Sequence, residues 1–269
     1  MVRVTSPRMH PFMTPELVFD VGMNNGDDTA YYLSRGFRVV AVEANPRWVA
    51  FARQRYTDEI QNGRLAIEAV GVGPEEGEAD FWVNQWHSEF SAFDYLMASK
   101  NETMPCTKIV VPCVRFERLL EKYGVPLYLK IDIEGADAAC LKALRSSDLP
   151  NFVSVEAHSL DYLIRLRDLG YRRFKVVDQM RHNSPWPLFS NENVGGRLSN
   201  RILWYADRLS NRLLARPFAP GSSGPFGEET KGDWLSFDGA ACEWLSLYVG
   251  QGTRGHLNPK SWFDFHAAL

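Results

Sequence analysis

The sequence is poor in cysteine, in long apolar runs and in any excess of positive charge. Its four cysteines, Cys106, Cys113, Cys140 and Cys242, form no CxxC pair and flank no histidine cluster. That argues against a structural zinc site and leaves free thiols in a reducing cytoplasm as the expectation. No stretch approaches the ~20 consecutive apolar residues of a membrane helix, so no membrane span is expected. Lys and Arg number 30 against 33 Asp and Glu, a net charge of -3, which offers no general attraction to nucleic acid or anionic membrane. Residues 1–16 hold three prolines and no apolar h-region, so they read as an arm and not as a signal peptide. No internal repeat is visible.

With 45% hydrophobic and 23% charged residues, the chain has the composition of a soluble globular protein. Strand and helix patterns alternate through the first two-thirds. Apolar strands are expected at Leu17–Val21, Arg38–Val42, Leu65–Val70, Leu127–Asp132, Phe152–Ala157 and Arg172–Val177. Helices are expected at Thr29–Arg35, after the Asn45-Pro46 start, at Phe116–Lys122, Ala136–Leu144 and Leu160–Leu169. Two β-like pieces, Ala79–Val83 and Ile109–Val114, interrupt the series. Such alternation predicts an α/β fold with a parallel sheet covered on both faces. Residues 178–260 are rich in Pro, Gly, Asn, Ser and Trp, with helices near Leu198–Leu214 and Phe237–Val249 and a loop at Pro217–Gly227. They read as an insertion before a final strand at Trp262–His266, within one domain over 17–269.

The first turn, Asp20-Val21-Gly22-Met23-Asn24-Asn25-Gly26, carries the clearest chemical information. A strand, two glycines and a helix start at a carboxylate or hydroxyl cap are how an α/β protein offers its first strand end to a cofactor. Glu43 follows Gly22 by the ~20 residues expected of a ribose-binding acid. The third glycine of the dinucleotide fingerprint is missing, and Asp20 would repel a phosphate. S-adenosylmethionine, which has an ammonium, a sulfonium and no phosphate, suits such a turn.

Ligands of open α/β sheets sit beyond the carboxyl ends of the strands. There stand Asp132 and Glu134 on one strand end, and Glu156 and His158 on the next. If both ends stay extended, each pair shares a face, and adjacent strands ~4.8 Å apart bring the four together. Such a cluster perturbs its own protonation, as a general base requires, and its oxygens could also hold Mg²⁺, although no metal is expected.

These segments resemble the FkbM family of S-adenosylmethionine-dependent O-methyltransferases. The likeness rests on the Asp20–Gly26 turn, on Glu43-Ala44-Asn45-Pro46, on Lys130-Ile131-Asp132-Ile133-Glu134-Gly135-Ala136-Asp137 and on Val155-Glu156, and it covers about residues 17–180. Met23 replaces the usual Ala, and Asp137 the usual Glu. The resemblance implies a class I, Rossmann-like methyltransferase sheet of seven mostly parallel strands, the last antiparallel. It implies cofactor contacts at Asp20, Gly22, Met23, Asn24, Gly26, Thr29, Glu43, Ala44 and Asn45, with Ala69 and Val70 beside the adenine and Asp132 nearby. The acceptor would be a hydroxyl-bearing small molecule such as a sugar, glycolipid or polyketide. His158 or Asp132 would take its proton, oriented by Glu156 or Glu134.

The insertion is expected to form the acceptor pocket and a lid, with Trp186, Phe189, Trp204, Phe226 and Trp234 as walls or as filler against the sheet. His87 borders a loop near the adenine or is an ordinary surface residue. Rival readings are a nicotinamide-dependent oxidoreductase, a nucleic-acid enzyme using Arg165, Arg167, Arg172 and Arg173, and a cofactor-binding partner protein without turnover.

Overall fold

The computed structural model describes residues 15–179, 222–254 and 262–269. Most of the expected arm, the expected helix near Leu198–Leu214, and Trp186, Phe189 and Trp204 lie outside the described residues. In chain order the strands are β1 (Leu17–Val21), β2 (Arg38–Val42), β3 (Leu65–Glu68), β4 (Gly71–Val72), β5 (Gly77–Asn84), β6 (Cys106–Val114), β7 (Tyr128–Ile131), β8 (Phe152–Glu156), β9 (Arg173–Asp178) and β10 (Phe263–Ala268). The helices are α1 (Asp27–Ser34), α2 (Pro46–Arg55), α3 (Thr57–Gln61), α4 (Tyr95–Ala98), α5 (Phe116–Tyr123), α6 (Asp137–Ala143), α7 (Leu160–Leu169) and α8 (Phe237–Arg254).

Seven strands form one sheet in the order β3-β2-β1-β7-β8-β10-β9. All pair in parallel except β10, which runs antiparallel to both β8 and β9. That is the seven-stranded, mostly parallel sheet expected, with the last strand reversed. Side chains alternate between its faces. Phe19, Val21, Leu129, Ile131, Val153 and Val155 pack toward α5, α6, α7 and α8. Val18, Val39, Ala41 and Tyr128 pack toward α1, α2 and Phe226. With both faces covered, strands such as β1 and β7 are buried along their whole length, which explains their near-continuous apolar sequences.

The two β-like pieces are β5 and β6, which pair antiparallel and, with β4, make a separate three-stranded sheet. Local sequence also fixes several helix starts. Asn45 accepts the Arg47 N–H at 3.0 Å with Pro46 at the first helical position, and Ser159 accepts the Asp161 N–H at 3.1 Å. The start of α1 differs from expectation. Its cap is Gly26 in the left-handed region, which has no side chain to offer, and the Asp27 N–H donates to Asn25 Oδ1 at 3.0 Å instead.

Candidate functional site

The parallel pair β1 and β7 places Asp20 beside Lys130 and Val21 beside Ile131. Just past these residues the two chains come together. Gly22 has φ +88°, and a Cβ on it would lie 1.8 Å from the Asp132 carbonyl oxygen, so only glycine fits. The N–H groups of Gly22 and Met23 both donate to the Val42 oxygen at 3.0 Å, and Gly26 N–H donates to Met23 O at 2.9 Å. Asn24 N–H donates to Glu43 Oε2 at 2.7 Å, and Asn45 N–H to Glu43 Oε1 at 2.7 Å. The N–H groups of Gly22, Met23, Asn24 and Gly26 are thus engaged within the turn and with β2's end. Burial raises the Glu43 carboxyl to about 7 against the pull of those two N–H groups.

Behind the turn lies a buried ionic network. Lys130 Nζ is 2.9 Å from Asp20 Oδ1 and donates to Gly22 O at 3.0 Å, with Asp28 at 3.4 Å and Asp132 at 3.7 Å. Thr29 Oγ1 donates to Asp20 Oδ2 at 2.6 Å. Burial works against the Lys130 charge, but Asp20, Asp28 and Asp132 outweigh it and hold the ammonium well above its ordinary range. Burial raises Asp20, with Lys130 and Thr29 pulling the other way. Asp20 is fully buried, so its charge meets Lys130 and not a ligand. This corrects the expectation that Asp20 itself faces a cationic cofactor.

Beyond β7 the chain does not stay extended as the side-chain pairing argument required. It turns at Glu134 (φ +43°) and Gly135 (φ +88°), and Asp137 accepts the Ile133 and Gly135 N–H groups at 3.1 and 3.2 Å. The turn still delivers Asp132 and Glu134 to the same cleft as Glu156. Asp132 keeps 27% of its side chain exposed. Burial, then the charges of Glu156, Asp264 and Glu134, push its carboxyl well above the usual range despite Lys130. Glu134 is raised to about 7 by burial and Glu156, although Lys100 sits 3.2 Å away. His158 does not line the cleft. Its Nε2 lies 3.0 Å from Glu156 Oε2, and that bond raises the imidazole to about 9 despite partial burial.

The cleft has a volume of about 290 Å³. Of the residues expected at a cofactor, Gly22, Met23, Asn24, Glu43, Ala44, Val70 and Asp132 line it, whereas Asp20, Gly26, Thr29, Asn45 and Ala69 do not. Asn45 caps α2, and Gly26 and Thr29 shape the turn from behind. Seven acids border the cleft, namely Asp27, Asp28, Glu43, Glu89, Asp132, Glu134 and Glu156, against one basic residue, Lys130, among the described residues.

Sequence reasoning missed Lys130, Asp28, Asp264 and Gln179. Lys130 had a signal, since a lysine inside an apolar strand needs a carboxylate and Asp20 occupies the matching place on a neighbouring strand. Asp264 on β10 is opposite Glu156, accepts the Gln179 amide at 2.6 Å, and is raised to about 7 by burial and Glu156. Gln179 and Trp262 line the cleft on the side of β9 and β10.

Two of the insertion's aromatics lie away from the cleft. Phe226 stacks on Tyr128 with centroids 4.0 Å apart, and Trp234 donates to Glu228 and covers Lys175. They fill space against the sheet, the alternative that the sequence left open. His87 is exposed beside Glu89, while Ser88, Glu89, Phe90 and Ser91 after it line the cleft. The arginines near α7 are engaged locally: Arg165 with the Leu141 and Leu144 carbonyls, Arg167 with Asp168, Arg172 with backbone oxygens and Arg173 with Glu228.

Among the described residues, no three His, Cys, Asp or Glu side chains are disposed to hold a metal ion, and no helix is long and apolar enough to cross a membrane.

Several solved structures match the chain at low identity. The precorrin-6y C5,15-methyltransferase of Geobacter metallireducens is 16% identical, with 62% of this chain and 69% of that one covered and a TM-score of 0.36. The StiE O-MT fragment, residues 942–1257, is 11% identical over 94% and 67%, with a TM-score of 0.38. Phosphoethanolamine N-methyltransferase 2 of Haemonchus contortus, in complex with S-adenosyl-L-methionine, is 13% identical over 97% of this chain and 50% of its own length, with a TM-score of 0.33. These are distant likenesses, and nothing about activity follows from them. No protein of curated function matches the chain. The methyltransferase FkbM domain matches residues 20–180, from the acid that opens the first turn to just past β9. That match spans more than half of the 269 residues, and the chain belongs to the FkbM methyltransferase family.

Proposed function

We propose that this methyltransferase uses S-adenosylmethionine and delivers the methyl group to a hydroxyl oxygen of a small molecule. The observation that carries the cofactor is the state of the first turn. Its N–H groups at Gly22, Met23, Asn24 and Gly26 are consumed internally, and the cleft beside it carries seven acids and one lysine. A dinucleotide's pyrophosphate would find those four donors taken and seven acids against one lysine. A cofactor with an ammonium and a sulfonium finds acids for both of its positive charges. Glu43 retains lone pairs beyond its two backbone bonds and can accept from ribose hydroxyls, while Ala44 and Val70 offer apolar contact to the base.

S-adenosylmethionine supplies a methyl group already activated for displacement. What remains to the protein is to align the acceptor oxygen at ~3 Å and to take its proton. Asp132 is the residue for that task. It faces the cleft, and burial with neighbouring acids raises its carboxyl well above the usual range, which makes its carboxylate a stronger base. His158 is the weaker choice, because Glu156 holds it protonated up to about pH 9 and away from the cleft. The acceptor would lie over β8, β10 and β9, where Glu156, Trp262 and Gln179 stand.

The test is a transfer assay with methyl-labelled S-adenosylmethionine and a panel of hydroxyl-bearing acceptors, run on the native chain and on Asp132→Asn. Label should enter an alkali-stable ether. Asp132→Asn should lower turnover about 10²–10⁴-fold while keeping S-adenosylhomocysteine affinity within a few-fold. In the native chain the rate should rise with pH as the raised Asp132 loses its proton, then level off, since only the carboxylate accepts. Label on nitrogen or carbon would overturn the hydroxyl assignment, and full activity of Asp132→Asn would overturn the base.

A further inference from the structure

Residues 85–105, which join β5 to β6, reach the acceptor end of the cleft through Phe90, whose ring meets that of Trp262 with centroids 6.4 Å apart. Just after α4, Lys100, Asn101 and Glu102 all hold left-handed backbone, with φ of +46°, +56° and +64°. Three such residues in a row without a glycine are uncommon, and they persist only where their surroundings fix them. Here Lys100 N–H donates to Met97 O at 3.1 Å, Asn101 N–H to Leu96 O at 2.8 Å and Glu102 N–H to Ser99 Oγ at 2.9 Å. The Lys100 ammonium then meets two residues that line the cleft from different segments. Its Nζ is 3.2 Å from Glu134 Oε2 and 4.0 Å from the centroid of the Phe90 ring. Lys100 itself does not line the cleft. Glu134 is left-handed too, at φ +43°, and α4 lies directly on its turn: a Cβ on Gly135 would stand 2.4 Å from Met97 Sδ.

We propose that Lys100 is a positioning residue for the acceptor: from outside the cleft it sets Glu134 and Phe90 as one wall, a carboxylate for the acceptor's hydroxyls beside an aromatic face for its carbons. The proposal rests on the methyl-transfer reading above, with the acceptor beside Trp262. Exposure favours positioning over support. An ion pair whose lysine side chain is 36% exposed adds little to stability. Glu134, with 11% of its side chain exposed, depends on its partner far more. It faces Glu156 and His158 from the end of β8, Asp132 on its own turn and Lys100 from the other side. Burial and Glu156 push its proton on, while Lys100, and after it His158, pull the other way. Loss of the ammonium leaves a carboxyl that holds its proton and is free to turn, and it frees the Phe90 ring on the same side.

The test compares the native full chain with Lys100→Met, Lys100→Arg, Glu134→Gln and the double variant Lys100→Met with Glu134→Gln. Transfer from methyl-labelled S-adenosylmethionine is measured with the hydroxyl compound that the native chain labels best. Lys100→Met should raise KM for that compound about tenfold and keep kcat within about threefold, at an unchanged unfolding temperature and S-adenosylhomocysteine affinity. Lys100→Arg should restore most of the KM, since a guanidinium can pair with a carboxylate and lie on a ring at once. In the Glu134→Gln background the Lys100→Met change should have a smaller effect than alone. A second readout needs no acceptor. The Phe90 and Ser91 N–H groups donate to His87 O at 3.0 Å and Ser88 O at 3.1 Å, and their exchange should quicken about tenfold in Lys100→Met but not in Lys100→Arg. A native KM in Lys100→Met, a lowered unfolding temperature with KM and exchange unchanged, or full additivity in the double variant would overturn the proposal. If S-adenosylhomocysteine binds but no hydroxyl compound takes label, the hydroxyl assignment falls by itself, and native exchange at Phe90 and Ser91 in Lys100→Met would then overturn the role of Lys100.

Discussion

Lys130 is the residue on which the site's electrostatics turn. It is one buried cation among Asp20, Asp28 and Asp132, and it also holds the Gly22 carbonyl at 3.0 Å. Removing its charge strands two buried carboxylates. Lys130→Met should therefore cost about 3–5 kcal/mol, read as a lower denaturant midpoint at an unchanged slope. The double change Lys130→Met with Asp20→Asn should recover part of that loss, because one stranded charge is gone. At this scale the sequence showed residue types better than residue directions. Gly22, Glu43, Asp132, Glu134 and Glu156 line the cleft, since strand ends and tight turns put them there. Asp20 and His158 were given the wrong direction. Asp20 turns inward to Lys130, 110 residues away in sequence, whereas His158 is held by Glu156, two residues before it.

At the scale of elements, the segment 223–229 is clamped to α1. The Asp28 carboxylate accepts the Ser223 N–H at 3.1 Å and the Gly224 N–H at 3.0 Å, and Tyr32 donates to Gly224 O at 3.2 Å. Arg35 and Tyr31 both bind Glu229. Asp28→Ala leaves two buried N–H groups without acceptors, about 1–3 kcal/mol each, and should speed amide exchange at Ser223 and Gly224 more than in β7. Unchanged exchange at those two amides would refute the clamp. The main strands were legible because apolar runs of four to six residues between glycines and helix caps can hardly be anything else in a βα series. The pairing of β5 with β6 away from the main sheet was not legible, since both look like ordinary strands and their partner choice is non-local. The clamp was equally hidden, as an aspartate one residue into a helix looks like an N-terminal charge and not like an acceptor for a distant loop.

For the whole molecule, the raised acids predict how stability follows pH. Burial lifts Glu43 and Glu134 from 4.5 to about 7, and Asp264 from 3.8 to about 7. Between those limits the folded chain holds protons that the unfolded chain has lost, so stability falls as pH rises through that window. His158 is raised from 6.5 to about 9, so its contribution is complete below 6.5 and is lost as pH rises toward 9. Both effects have the same sign. The unfolding temperature should decline from about pH 5 to about pH 9, and His158→Gln should flatten the upper part of that decline. A rising curve over the same range would contradict the assigned proton positions.

The sheet order places the first turn, Glu43 and the acid cluster along one edge, so that one cleft joins a cofactor end to an acceptor end. The account's central claim is that this cleft takes S-adenosylmethionine and not a dinucleotide. Parallel calorimetric titrations of the native chain with S-adenosylhomocysteine and with NADH test it most directly. Micromolar, one-to-one binding of S-adenosylhomocysteine with no heat from NADH is the predicted result. Binding of NADH without S-adenosylhomocysteine would contradict it, since the first turn would then be gripping a pyrophosphate with donors that the structure shows already in use.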